Sequence, residues 1–425
     1  MKILIVGSGG REHALAWKIA QSSLADRIYC APGNAGIAQI AECVDIEATD
    51  VDKLLRFAKA EGIGLTIPGT EECLSAGLTD RFEKAGLKVS GPTKAAAELE
   101  SSKVFAKRLM RKHGIPTAEF RIFVEHRRAR EYATELGPPM VVKADGLAKG
   151  KGVIVCESTD EALEAIDRIM VKREFGDAGK TVIVEECLVG EEVSILALTD
   201  GRAIVPLPTS QDHKAIYDGD KGPNTGGMGA YSPAPVVTDE LAARIEREIL
   251  IPTVHAMRVE RKPFKGVLYA GLMITKRGPQ VLEYNVRFGD PEAQPLLMRM
   301  NGDLVPTLLG VAEGKLESSS VDWDKRAAVC VVMASGGYPG SYEKGKEITG
   351  LEKASEMDAV MVFHAGTAAD NGKFVTNGGR VLGVTALGAD VKSAIARAYE
   401  AVGTIHFEGA HYRKDIGAKA LDKLS

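Results

Sequence analysis

The chain has 425 residues, room for about three compact units at roughly 150 residues each. Its 54 Lys and Arg against 58 Asp and Glu leave a net charge of −4, which excludes the chain-wide cationic field of a protein that coats nucleic acid or an anionic membrane. With 45% hydrophobic residues, 46 glycines and 5% aromatics, it reads as an ordered α/β protein rich in tight turns and not as a disordered chain.

Ile3, Leu4, Ile5 and Val6 form an aliphatic run that meets Gly7-Ser8-Gly9-Gly10, after which Ala14, Leu15 and Ile19 recur at helical spacing. This predicts a strand, a phosphate-sized turn and a helix. The glycine comes too early for a signal peptide, no stretch approaches the ~20 apolar residues of a membrane span, and no two of the six cysteines form a CxxC pair. A cytoplasmic, reduced setting is therefore expected. Strands are predicted at 27–31, 44–46 and 65–67, with helices at 50–61 and 72–85. The alternation implies a doubly wound parallel sheet, with ligands at the strand ends that carry residues 7–11, 32–34 and 68–71.

A helix capped by Ser101 or Ser102 and stopped by Gly114, with Pro116 just beyond, opens a second unit. Short aliphatic strands within 139–155 and 181–188 surround a Gly and Lys loop. Residues 206–233 form a long Pro, Gly and Asp segment, a length of loop that compact domains mostly reserve for function. The last unit, from about 326, has strands at 327–333 and 381–385 and a helix at 391–402. The run Glu-Ser-Ser-Ser at 317–320 is the expected linker.

Four stretches carry chemistry. The first glycine turn suggests a dinucleotide site, but position 12 is Glu12 where that fingerprint needs a third glycine, and the second strand ends in Ala31-Pro32 with no acid for a ribose. Another small polar ligand, or a purely structural turn, remains open. The loop from Lys143 through Gly146, Lys149, Gly150, Lys151 and Gly152 fails the Walker pattern, yet three lysines around glycines suit a polyphosphate; the alternative is a solvated hairpin tip. The run 181–192 could offer backbone groups to an adenine and a carboxylate to a ribose, or be a strand ending in a charged turn. Along an extended chain Glu283, Asn285 and Arg287 share a side, presenting hard oxygen ligands suited to Mg²⁺ beside a guanidinium. The alternative is a structural Glu283–Arg287 ion pair.

Lys103, Lys143, the Gly and Lys loop, the acids from Glu185 to Glu192 and Glu283-x-Asn285 together resemble the ATP-grasp superfamily. The run from Arg287 to Gln294, the segment from Asn224 to Pro233 and the opening from Gly7 to His13 resemble its glycinamide ribonucleotide synthetase (phosphoribosylamine–glycine ligase) family over residues 1 to about 420. The resemblance implies an N-terminal substrate domain over 1–102, an ATP-grasp domain over 103–320 with a lid subdomain at about 120–190, and a C-terminal α+β domain over 321–425. It implies that Lys103, Lys143, Gly150, Lys151 and Gly152 contact the phosphates of ATP, and that Glu185, Glu186 and Leu188 form the adenine hinge. Glu192 would lie on the ribose, and Glu283 and Asn285 would hold Mg²⁺ or Mn²⁺. For phosphoribosylamine it implies Gly10, Arg11, Glu71 and Asp290, with Lys373 and Arg380 on the phosphate.

The implied reaction activates glycine as glycyl phosphate and passes it to 5-phosphoribosylamine. Arg287 and Lys143 would stabilise the transferring charge, Asp212 would orient the amine, and His213 would be a hydrogen-bonded loop residue rather than a base. Residues 266–275 contain no acid, although many superfamily members have one there, which argues against a second protein-held metal. A monomer working on small molecules, without nucleic acid or membrane, is expected. Rival readings are another ATP-grasp purine ligase, a nicotinamide-dependent oxidoreductase and a non-catalytic ATP-binding regulator.

Overall fold

The computed structural model describes residues 1–146, 152–316 and 321–424. It opens with β1 (Lys2–Gly7), α1 (Gly10–Ile19), β2 (Arg27–Pro32), β3 (Glu42–Cys43), α2 (Val51–Glu61) and β4 (Ile63–Pro68), whose strands pair in parallel in the order β3-β2-β1-β4. Leu4 and Val6 enter one hydrophobic core and Ile3 and Ile5 another. Both faces of β1 are thus covered, as a doubly wound sheet requires.

Two expectations need correction. The strand at 44–46 is instead β3, because the Ile46 N–H turns back to the Val44 carbonyl at 2.7 Å and ends the ladder. The helix at 72–85 is two, α3 (Glu71–Ser75) and α4 (Leu78–Lys84), since Gly77 at φ +86° leaves the helical region between them.

Next come α5 (Lys94–Ser101) and α6 (Lys103–His113), the latter capped by the Ser102 side chain and closed by left-handed Gly114. Then β5 (Phe120–Phe123), α7 (His126–Leu136), β6 (Met140–Ala144), β7 (Val153–Cys156), α8 (Thr159–Met170) and β8 (Val182–Glu186) build a small sheet in the order β5-β8-β6-β7. Val142, Val184, Ala133 and Ile166 give it a core of its own with α7 and α8.

The chain continues through β9 (Glu191–Thr199), β10 (Ile204–Pro206), β11 (Gln211–Asp212), β12 (Ala215–Tyr217), β13 (Lys221–Asn224) and β14 (Gly229–Ser232). Residues 206–233 are therefore not one structureless loop. β12 and β13 pair as a hairpin, while β11 and β14 join a sheet whose other strands lie about a hundred residues on. After α9 (Asp239–Ile245) and α10 (Ile251–Val259), β15 (Gly266–Thr275) and β16 (Gly278–Asn285) complete an antiparallel sheet in the order β10-β9-β15-β16.

The remaining strands and α-helices are α11 (Ala293–Met298), α12 (Leu304–Glu313), β17 (Ala327–Ala334), α13 (Leu351–Ser355), β18 (Val360–His364), β19 (Thr367–Asp370), β20 (Lys373–Thr376), β21 (Arg380–Gly388), α14 (Val391–Val402) and α15 (Ala418–Leu424). They supply three strands of the five-stranded sheet β11-β14-β17-β21-β18. The linker expected at 317–320 lies outside the described residues. All six cysteines are free, and among the described residues no helix is long and apolar enough to cross a membrane.

The first and last units pack directly. The His364 N–H donates to His13 Nδ1 at 2.8 Å, and His13 and Trp17 meet Phe363 edge-on. Burial lowers His13 to about 3 and His213 and His364 to about 4. These folded values lie below the unfolded one near 6.5, so as pH falls from 6.5 the unfolded chain binds protons that the folded one refuses. Each histidine should then contribute a loss approaching ~1.4 kcal/mol per pH unit toward pH 4, with its stabilisation fully present above 6.5. Urea midpoints should fall between pH 6.5 and 5, above most carboxylate titration; a flat profile there would contradict the neutral assignment.

Candidate active site

Four elements converge on the lysines. From β6, Lys143 forms an ion pair with Glu185 on β8 and donates to the Leu282 carbonyl of β16 at 3.3 Å. Lys107 of α6 reaches Glu185 Oε2 at 2.5 Å and Thr117 Oγ1 at 2.8 Å. These three side chains are only 2–7% exposed. Burial pulls Lys107 down to about 8 against the attraction of Glu185, while burial of Glu185 is outweighed by Lys143 and Lys107, which keep it ionised. Lys103, in the first turn of α6, donates to the Gly146 carbonyl at 3.0 Å. Asp145 Oδ1 accepts the Ser102 hydroxyl and the Val104 N–H, both at 3.1 Å, and so ties the root of the Gly and Lys loop to the start of that helix.

Gly150 and Lys151 lie outside the described residues, and the Gly152 carbonyl accepts the Ala144 N–H at 2.8 Å. The Glu185 carboxylate turns inward to two lysines instead of ending in a charged turn, so any contact it makes with an adenine would be through its backbone. Glu186 pairs with Arg277 at 2.6 Å, Leu188 is buried, and Glu192 lines a small cavity with Ser194, Asp212, Lys214, Tyr269 and Glu283.

On β16, Glu283 Oε1 meets Lys214 Nζ at 3.0 Å, and Lys214, then Lys103 and Lys143, hold its carboxyl down to about 2. Asn285 Oδ1 accepts Arg287 Nη2 at 3.2 Å. Arg287 does not pair with Glu283. The strand ends at Asn285, and the guanidinium turns to Glu71 (Nε to Oε2, 3.2 Å), Glu100 (Nη2 to Oε1, 3.0 Å) and the Phe288 carbonyl. Burial opposes the Arg287 charge, but Glu100 and Glu71 outweigh it and raise the guanidinium above its ordinary value.

Among the described residues no three His, Cys, Asp or Glu side chains gather as a metal cage. One ionised carboxylate and one carboxamide oxygen, two residues apart and ringed by lysines, fit a hard divalent ion whose other ligands come from phosphates and water.

Asp212 is raised by burial and by Glu292, whereas Glu283 raises Lys214 and keeps it charged. Glu292 accepts the Tyr269 hydroxyl and that of Ser194 (3.1 Å). His213 is buried and neutral, its Nε2 accepting the Gly417 N–H at 3.4 Å.

The first and last units meet at Asp290. A Cβ on Gly10 would fall 2.6 Å from Gln294 Nε2, so a larger residue at the start of α1 would have to displace the Gln294 amide. Gln294 donates to Asp290 Oδ1 at 2.9 Å, and Arg11 Nη1 to the Phe288 carbonyl at 3.0 Å. Glu12 fills the end of α1 itself: its carboxylate takes the Gly9 N–H and Arg11 Nε, each at 2.6 Å, where a dinucleotide phosphate would have to sit. Arg380 directs its guanidinium to Asp290 Oδ2 (3.3 Å) and the carbonyls of Gly226, Gly227 and Asp290 (2.7, 3.2 and 2.6 Å). Lys373 is engaged by Glu347 at 2.9 Å with its side chain 61% exposed.

Sequence reasoning passed over Glu100, Lys107, Tyr269 and Glu292, and treated Lys214 only as loop. An acid two residues before the Ser102 cap of α6, and a lysine two residues after Asp212, were the available signals.

Residues 1–100 match the phosphoribosylglycinamide synthetase N domain, 101–293 its ATP-grasp (A) domain and 328–419 its C domain. The chain is 57% identical over 426 residues to a phosphoribosylamine–glycine ligase of Rhodopirellula baltica (99% of this chain, 98% of the relative), and 52% identical over 427 residues to that of Escherichia coli (100% and 99%). It superposes on a crystal structure of a phosphoribosylamine–glycine ligase from Thermotoga maritima with TM-score 0.85 at 37% identity, covering 98% of this chain and 100% of that one. A biotin carboxylase from Campylobacter jejuni shares the fold, with TM-score 0.77 at 15% identity over 99% of this chain and 95% of that one.

Proposed function

The chain belongs to the phosphoribosylglycinamide synthetase family, and on that premise we propose that the lysine-ringed Glu283 and Asn285 form the centre at which it couples ATP cleavage to joining glycine and 5-phosphoribosylamine. A carboxylate does not couple to an amine in water, because its oxygen is a poor leaving group. ATP first converts glycine to glycyl phosphate and ADP; the phosphoribosylamine nitrogen then attacks the carbonyl and expels phosphate, giving glycinamide ribonucleotide. Catalysis by the protein is positioning and charge neutralisation.

Lys103 and Lys143 bind the phosphates, with Gly150, Lys151 and Gly152 of the adjoining loop. Residues 185–188 receive the adenine and Glu192 the ribose. Glu283 and Asn285 hold Mg²⁺ or Mn²⁺, which neutralises phosphate charge when bound. Arg287 stands beside that pair. Gly10, Arg11, Glu71 and Asp290 face phosphoribosylamine. Arg380 serves them by holding Asp290 and residues 226–227, and Lys373 is left out. Asp212, in the cavity with Lys214 and Glu283, orients the attacking amine.

The observation that carries this reading is the ionised Glu283, kept so by Lys103 of α6, Lys143 of β6 and Lys214 between β11 and β12. Six free cysteines support a reduced, cytoplasmic setting.

The test is phosphate release from ATP. It should require both glycine and phosphoribosylamine, while glycine alone with hydroxylamine should yield a trapped hydroxamate. Release independent of glycine would overturn the assignment in favour of another ligase of the fold, and nicotinamide absorbance should not change with any substrate.

A further inference from the structure

Glu100 closes α5 with its side chain only 8% exposed. One oxygen accepts the Val286 N–H at 2.7 Å and the other takes Arg287 Nη2 at 3.0 Å; that same nitrogen donates to Asn285 Oδ1 at 3.2 Å. A carboxamide can serve a metal only through its oxygen, and flipped it presents hydrogens. Arg287 has only donors to offer, so it selects the oxygen-forward orientation, and a carbonyl oxygen with two lone pairs can accept this bond and still face an ion. Yet a guanidinium so close to a cation site is repulsive unless carboxylates offset it, and Glu100 and Glu71 stand on it from two other elements.

We propose that Glu100 is a positioning residue for the metal: by holding Arg287 and the end of β16, it fixes the Asn285 oxygen toward the ion and balances the guanidinium charge. The proposal rests on reading Glu283 and Asn285 as the metal ligands. A purely structural Glu100 would anchor α5 to β16, and its loss would cost stability without touching metal affinity.

The experiment is Mn²⁺ binding to the full-length protein in the presence of ADP, followed by electron paramagnetic resonance. Glu100→Gln should raise the Mn²⁺ dissociation constant about 10-fold, within the range seen when outer partners of metal ligands are removed. Its Mg²⁺ activation curve should shift to higher concentration, saturating Mg²⁺ should recover most of kcat, and the glycine KM should stay within about twofold. Mn²⁺ affinity equal to that of the unaltered protein would overturn the proposal. So would a kcat loss that saturating Mg²⁺ does not relieve.

Glu283→Gln is measured in parallel. If it too binds Mn²⁺ normally, the metal site itself is misassigned; if it weakens binding and Glu100→Gln does not, only the Glu100 relay fails. Should Glu100→Gln not fold, Arg287→Lys breaks the same bridge at its middle, and unaltered Mn²⁺ affinity there would equally refute the relay.

Discussion

Glu283→Ala should lower turnover by at least roughly 10²-fold while leaving the fold intact, since it removes the one carboxylate of the proposed metal pair and no core volume. The side chain is 36% exposed, and its partner Lys214 is 33% exposed, so the lost ion pair costs little stability. The electrostatics sharpen the expectation. Lys214, Lys103 and Lys143 all act on this carboxylate, and without it they form an uncompensated cationic pocket that still attracts a triphosphate. ATP binding should therefore survive while kcat collapses. Melting curves and steady-state kinetics on the purified variant check both halves; near-normal turnover in a folded protein would remove Glu283 from the mechanism.

Glu185→Ala should have its effect on stability. Lys107 and Lys143 would remain buried without a counter-charge, and breaking a buried pair by removing one partner costs about 3–5 kcal/mol. The loss should depend on pH in a definite direction. Lys107 sits at about 8 in the folded protein against 10.5 in the unfolded chain, so between those values the unfolded chain holds the extra proton and stability rises with pH. Without Glu185, which raises Lys107, the same window extends below pH 8, and the variant should recover part of its loss as the buffer becomes alkaline. Hydrogen exchange of β6 and β8 amides in urea measures this. Glu185→Leu combined with Lys107→Met should be more stable than Glu185→Ala, and a double variant no better than the single one would show that the triad is not what holds this sheet.

The two predictions depend on residues of different visibility. Glu283-x-Asn285 is readable because a strand period of two puts both side chains on one side of a short segment. The ends of α6 are readable for the same local reason: the Ser102 hydroxyl meets an amide three residues away, and Gly114 supplies its own left-handed backbone. By contrast β12 and β13 have no apolar alternation, and β14 takes its register from β17, nearly a hundred residues later. The division of 72–85 into two helices turned on one glycine conformation that composition alone does not reveal.

The triad of Lys143, Lys107 and Glu185, the Glu100–Arg287 pair and the half-burial of Asp212 belong to the same hidden class. Glu100 and Val286 are 186 residues apart and Lys214 and Glu283 are 69 apart, so no periodicity links them. The sequence by itself determined the kind of chemistry, because ligand type and spacing within a strand or turn are local properties. Only the tertiary structure decided which charges are free and which are spent, as with Arg380 on its carbonyls and Lys373 on Glu347, because Coulomb energy depends on distance and burial that distant segments set together.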